Sequence, residues 1–143
     1  MSQGSTDPLH WPLVEEYLAH AAAERLMIPV CAACEATHFP PRALCPYCLS
    51  EAVSLRRSAG AGTLYSFSIV HLDYHPEWGE RTPYVNALVS LADGPTVFAN
   101  IVDCDPATLA VGDPVEATFL GVGGQPRPVF RPTERGTSSS PAP

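Results

Sequence analysis

The sequence predicts a mainly β protein: one N-terminal helix, then a metal-stapled ribbon, then a small barrel of five to six strands. Three observations carry that expectation. Four of the five cysteines form two tight pairs, Cys31-Ala-Ala-Cys34 and Cys45-Pro-Tyr-Cys48. Sixteen prolines in 143 residues favour loops and edge strands over a helical bundle. After Cys48, apolar residues recur at period two between breaks rich in Gly, Pro and Asp, which is the pattern of short strands.

The elements follow in order. Residues 1–7 are small and polar. Pro12 to Glu24 is the one convincing helix: Val14, Tyr17, Leu18 and Ala21 recur at helical spacing, Glu15 and Glu16 sit where the macrodipole favours acid, and Ala21-Ala22-Ala23 adds helix propensity. Its narrow stripe, with Trp11 and Leu13 beside it, suits either a core contact or a docking face for another subunit. Arg25–Val30 reads as a short strand with an edge marked by Pro29, and His38-Phe-Pro-Pro-Arg42 as the return between the cysteine pairs. Ala52–Arg57 is a strand leaving the ribbon, and Ser58–Gly62 a flexible turn. Thr63–Leu72 is a long strand, with Tyr65, Phe67, Ile69 and His71 expected on one face. Tyr84–Leu91 and Thr96–Val102 are strands joined by the turn Ala92-Asp-Gly-Pro95. Asp105 caps a single helical turn with Pro106 at its first position. Pro114–Leu120 and Pro128–Arg131 complete the strands, and the residues after Pro132 lack apolar anchors. Several antiparallel strands with one short late helical turn suit a small closed barrel of the oligonucleotide/oligosaccharide-binding (OB) type; a β-sandwich is the alternative. The units are then 1–24 (N-terminal segment and helix), 25–57 (ribbon), 58–132 (barrel) and 133–143 (disordered tail).

The cysteine pairs have knuckle spacing, in which two thiolates reach one ion from a turn. Two knuckles close a tetrahedral site on Cys31, Cys34, Cys45 and Cys48, the arrangement zinc prefers in a structural role. Such a site keeps no open coordination position, so it staples rather than catalyses. Iron in the same cage is the alternative metal. A redox Cys-x-x-Cys needs a βαβ setting, and these flanks lack one. Disulfides fit by count, but residues 1–12 have neither the charged start nor the apolar run of a secretory signal, so a cytoplasmic setting is expected.

Charge narrows the function classes. The formal net charge is −7, and all eight basic residues are Arg. An acidic chain lacks the basic face that phosphate neutralisation requires, which speaks against nucleic acid, although OB barrels with aromatics such as Tyr65 and Phe67 do bind single strands. No stretch reaches the roughly 20 apolar residues of a membrane span. Arg42, Arg56 and Arg57, together with Arg25, outnumber Glu35 and Glu51 around the ribbon; they are candidates for the phosphates of a nucleotide cofactor, or for offsetting a metal–tetrathiolate charge. His71 and His75 with Asp73 and Glu77 are the one polar group resembling an acid–base set, and a solvated loop is the plainer reading. Cys104 lies between Asp103 and Asp105, a poor setting for a nucleophile.

Arg25-Leu26, then C-A-A-C-E-A-T-H-F-P-P-R, then C-P-Y-C-L-S, then G-A-G-T-L-Y-S-F-S-I-V-H, P-Y-V-N-A-L-V-S-L-A-D-G and V-F-R-P together resemble the rubredoxin-type zinc-ribbon plus OB-fold family, catalogued as domain of unknown function thirty-five. The likeness spans roughly residues 9–132. Glu35 departs from it, standing where the family has glycine, a position that favours φ > 0. The resemblance implies a zinc-containing, non-catalytic partner subunit of a thiolase-superfamily enzyme acting on acyl-CoA thioesters, by carbon–carbon bond cleavage or formation or by acyl transfer. It implies a hetero-oligomer such as a heterotetramer, with a CoA thioester at the interface. Trp11, Tyr17, Leu18, Phe39 and Pro40 are the expected partner contacts. A single-stranded nucleic-acid-binding protein and a free-standing enzyme are the competing classes.

Overall fold

Helix α1, Pro12–Ala22, ends in a turn where the N–H groups of Ala23, Glu24 and Arg25 bond back to carbonyls of Ala19, His20 and Ala21, with Glu24 in the left-handed region at φ 62°. The computed structural model describes residues 12–72, 81–122 and 124–133. Trp11, the group Asp73, His75 and Glu77, and the tail from residue 134 lie outside the described residues.

Strands β1 (Met27–Cys31) and β2 (Val53–Arg57) pair antiparallel, from Met27 opposite Arg57 to Cys31 opposite Val53, and form the ribbon's stem. Pro29 is tolerated because β1 has only one partner strand. Five further strands close a barrel in the order β3-β4-β5-β7-β6, where β3 is Ala61–Val70, β4 Tyr84–Leu91, β5 Thr96–Ile101, β6 Pro114–Val122 and β7 Gln125–Pro132. This is the expected mainly β architecture, and closure decides against the sandwich. Asp105 caps the 3₁₀ turn Pro106–Thr108 by accepting from the Ala107 N–H at 3.1 Å.

Strand β4 alternates half-buried and buried residues along its whole length, so Val85, Ala87, Val89 and Leu91 point inward. They meet Val97, Ala99 and Ile101 of β5, Leu64, Val115 and Phe130 in one core. On β3 the expected single face of Tyr65, Phe67, Ile69 and His71 is not found. A bulge between Leu64 and Ser66 shifts the register by one residue. Leu64 is fully buried, Tyr65 is 61 % exposed, and Phe67 and Ile69 return inward. His71 lies past the strand's end and is exposed. A period-two reading cannot see a bulge, because one extra residue inverts every later side chain.

The barrel does not close evenly. Strands β5 and β7 run parallel and pair at one position, Ile101 opposite Phe130, where the Val102 N–H donates to the Phe130 carbonyl at 2.8 Å. Towards their N-terminal ends the two strands have no ladder between them, and α1 lies over that side, in contact with β7.

The ribbon is fastened to the barrel through the β4–β5 turn. Leu26 and Ile28, from the ribbon side, are buried in the barrel's core. A Cβ on Gly94 would approach Ile28 Cδ1 to 2.5 Å, so a larger residue in the turn would push the buried Ile28 side chain aside. Asp93 accepts from the Ser58 hydroxyl at 2.9 Å and from the Ala59 N–H at 2.8 Å, while Arg56 Nη2 donates to its carbonyl at 2.6 Å. Ser58–Gly62, expected to be a flexible turn, is thus hydrogen-bonded in place, with Ser58 buried.

Burial alone would raise the Asp93 carboxyl, but donors at Ala59 and Ser58, its own amide and the charge of Arg56 together hold it below 3.8. A depressed carboxyl stabilises the fold above its unfolded pKa, and that contribution is lost as pH falls through the folded value. Asp93→Ala is therefore expected to cost about 1–3 kcal/mol at neutral pH, because it strands the buried Ser58 hydroxyl, while the exposed Ala59 N–H turns to water. The gap between wild type and variant in urea midpoint should close as pH drops below about 3.8. A gap that stays constant with pH would contradict this role for the carboxylate.

Candidate metal centre and the adjoining groove

Each cysteine pair forms a knuckle of the same build. After Cys34 the chain turns so that the Glu35 N–H donates to the Cys31 carbonyl at 2.7 Å; after Cys48 the Leu49 N–H donates to the Cys45 carbonyl at 2.9 Å. Both turns need a left-handed residue, met by Glu35 at φ 65° and Leu49 at φ 67°. Amides then point at the sulfurs, as with the Tyr47 N–H, 3.4 Å from Cys45 Sγ.

The four sulfurs converge. Cys31 and Cys48 Sγ are 3.6 Å apart, Cys34 and Cys45 Sγ are 3.7 Å apart, and all four lie within 4.8 Å of one another. A tetrahedron with bonds of about 2.3 Å to sulfur has edges of about 3.8 Å, so the cage fits a four-thiolate metal ion. Cys31 and Cys45 are fully buried, whereas Cys34 and Cys48 are exposed. The Cys34 amide, acting against burial, pushes the Cys31 thiol down to about 6. At Cys48 the Ser50 amide pulls the other way, but burial and the three neighbouring sulfurs outweigh it and push the thiol up to about 12. Four thiols this close resist ionising together, and a divalent cation removes that conflict.

Glutamate at a left-handed position carries backbone strain. Glu35→Gly is expected to stabilise the metal-loaded protein by about 0.5–1 kcal/mol, the left-handed penalty less glycine's extra entropy in the unfolded chain. Glu35→Ala should give no gain. Thermal midpoints of both variants measure this; a rise with alanine equal to that with glycine would contradict the strain.

The segment between the knuckles runs over the barrel. Thr37 bridges to Val30, and the His38 N–H donates to the Pro29 carbonyl at 3.3 Å. Phe39 then packs on the core and meets the Tyr17 ring edge-on, with centroids 5.7 Å apart. Burial pushes the Tyr17 phenol up to about 12, so it stays protonated. Phe39, Pro40 and Pro41 form one wall of an apolar groove of about 690 Å³; α1 forms a second through Tyr17 and Leu18, and the unpaired stretches of β5 and β7 form its floor, with Phe98 and Arg127 among them.

The groove therefore gathers Tyr17, Leu18, Phe39 and Pro40 from the residues that the sequence marked for partner contact. Leu18 is 54 % exposed at its rim. The three arginines are not equivalent. Arg56 is engaged at Asp93, Arg57 alternates to the other face of β2, and Arg42 is exposed in the inter-knuckle segment. Cys104 is half-buried, and burial, then Asp105 and Asp103, push its thiol up.

Two residues escaped the sequence reading. Asp93 looked like an ordinary turn residue, and its acceptors serve a chain segment more than thirty positions away. His38 looked like part of the return, yet it is 3 % exposed and neither ring nitrogen has a partner. Burial, and then the charge of Arg42, push its imidazole down and keep it neutral. No spacing rule marks either residue.

Known proteins match this architecture piece by piece. Residues 19–54 match the ChsH2 rubredoxin-like zinc ribbon domain, and residues 55–120 match the ChsH2 C-terminal OB-fold domain. A probable enoyl-CoA hydratase alpha subunit of Thermomonospora curvata is 37 % identical over 113 residues, which are 78 % of this chain and 35 % of that protein. The chain thus spans about a third of that relative's length. A DUF35 domain-containing scaffold protein of Methanothermobacter thermautotrophicus is 36 % identical over 93 residues, 64 % of this chain and 69 % of its own. Among solved structures, a chain of the Ltp2-ChsH2(DUF35) aldolase superposes with a TM-score of 0.76 at 34 % identity, covering 87 % of this chain and 98 % of that one. The paired knuckles, the closed five-stranded barrel and these matches place the chain in the ChsH2/DUF35 family of zinc-ribbon and OB-fold proteins.

Proposed function

We propose that the chain is a non-catalytic subunit of an enzyme complex acting on acyl-CoA thioesters, and that its partner is a thiolase-like catalytic subunit. The likeness to nearly the whole length of the DUF35 chain of a two-protein aldolase carries this reading. The scaffold description of one relative and the CoA-thioester chemistry in the name of another agree with it. The chemistry would be aldol-type cleavage or formation of a carbon–carbon bond, or acyl transfer, within a hetero-oligomer such as a heterotetramer.

The parts have distinct roles in this proposal. Zinc in the four-cysteine cage holds the ribbon, and its thiolates need a reducing compartment, which fits the cytoplasm. The face made by α1 and the Phe39-Pro40 segment contacts the catalytic subunit. Exposed Arg42 and Arg57 are available to the phosphates of CoA at the interface; Arg56 serves the joint instead. No helix among the described residues is long and apolar enough to cross a membrane.

Co-expression with a thiolase-like protein encoded beside this chain tests the reading. Co-elution on size exclusion, with enzyme activity that depends on both chains, is expected. Separate elution with activity unchanged by this chain would sink it. A colourless protein with one zinc per chain supports the metal assignment, and a red one carries iron instead.

A further inference from the structure

The groove and the metal cage share one stretch of backbone. Residues 35–44 join Cys34 to Cys45, so both ends of the segment are anchored in the cage. Its middle, Phe39-Pro40-Pro41, is a wall of the apolar groove. Apart from the cage, the segment is held on its N-terminal side by the Thr37–Val30 bridge, made of the His38 N–H bond to the Pro29 carbonyl and the Cys31 N–H bond to the Ala36 carbonyl at 3.0 Å, and by Phe39 on the core. Beyond Pro41 the described backbone bonds begin again at Cys45 itself, whose N–H donates to Ser50.

Helix α1 rests on the same wall as well as on β7 and the ribbon strands. Only Tyr17 and Ala21 are buried along its eleven residues, and Tyr17 rests on Phe39. The joint between ribbon stem and barrel is built separately: Leu26 and Ile28 in the core and the bonds of Asp93 involve no cysteine. Loss of the metal therefore has a local route. It frees the C-terminal anchor of the inter-knuckle segment, while the joint keeps the bonds of Asp93 and the buried Leu26 and Ile28.

We propose that metal occupancy of the four-cysteine cage sets the groove: the ion tensions the 35–44 segment, which presses Phe39 against Tyr17 and so holds α1 over the open side of β5 and β7. The cage is then more than a fold staple, since its loading decides whether this face has its assembled shape. The proposal rests on the metal site alone and not on the identity of any partner, so its failure leaves the partner reading standing.

Hydrogen exchange of the full chain, carrying one zinc ion and then treated with a chelator, tests it. Amides of Tyr17–Ala22 should exchange about tenfold faster after metal removal, the scale of one lost aromatic contact, while those of Val85–Leu91 stay within about twofold. Unchanged protection of α1 in the metal-free chain would overturn the proposal. So would equal acceleration of α1 and β4, which would make the metal a support of the whole fold. Phe39→Ala separates the route from the ion: this variant should keep one zinc per chain and still show the fast α1 exchange. Native-like α1 protection in Phe39→Ala would overturn the link through Phe39.

Discussion

Cys45→Ser is expected to abolish stable metal binding, taking the chain from one ion to none. Cys45 is fully buried, its sulfur lies 3.7 Å from that of Cys34, and it accepts from the Tyr47 N–H. Serine's hydroxyl stays protonated at neutral pH and offers zinc no thiolate. Structural zinc sites in small peptides contribute about 10–16 kcal/mol on binding, so losing one of four ligands removes a large share of what orders the ribbon. Cys104→Ser is the control; its thiol is half-buried in the bend between β5 and the 3₁₀ turn and outside the cage, so that variant should keep its metal. Metal analysis of the purified proteins, with mass spectrometry under native conditions, reads both outcomes. A Cys45→Ser protein that still holds one ion would remove that cysteine from the site.

Phe130→Ala should destabilise the protein by about 3–5 kcal/mol. Phe130 is 1 % exposed and is the largest fully buried side chain among the described residues. It stands at the one position where β5 and β7 pair, so a cavity there weakens the barrel at its least hydrogen-bonded seam. A loss of that size is a large part of the roughly 5–15 kcal/mol by which a domain is stable. It should lower the thermal midpoint on the order of 10 °C. Phe130→Leu, which keeps most of the volume, should cost less than about 1.5 kcal/mol. Urea unfolding followed by circular dichroism measures both, and an alanine variant as stable as the leucine variant would show that the seam does not depend on this ring.

The two sites differed in how far they could be seen beforehand. The metal cage was legible because its ligands come in local pairs, and a Cys-x-x-Cys turn brings two sulfurs together whatever the rest of the chain does. The left-handed residue after each pair was legible at Glu35 and not at Leu49, although the two knuckles are built alike. The groove was legible only in pieces. Tyr17 and Leu18 were marked by helical spacing, and Phe39 and Pro40 as expected partner contacts in the return between the cysteine pairs. Their meeting with Phe98 and Arg127 depends on α1 crossing the gap between β5 and β7, which are far apart in sequence and nearly unpaired in space.

Local chemistry therefore determined the elements: α1 from its spacing, β4 and β5 from the turn residues Ala92-Asp-Gly-Pro95 between two apolar runs, the 3₁₀ turn from Asp105-Pro106, and the cage from two knuckles. These signals act within a few residues of one another, and a sequence displays them directly. Tertiary structure alone decided the bulge that turns Tyr65 outward, the burial of His38 without a hydrogen-bond partner, and the fastening of ribbon to barrel by Asp93. Each of these depends on contacts between distant segments or on a one-residue shift of register. Neither leaves a period or a spacing in the chain, because such contacts are selected by packing after the local elements have formed.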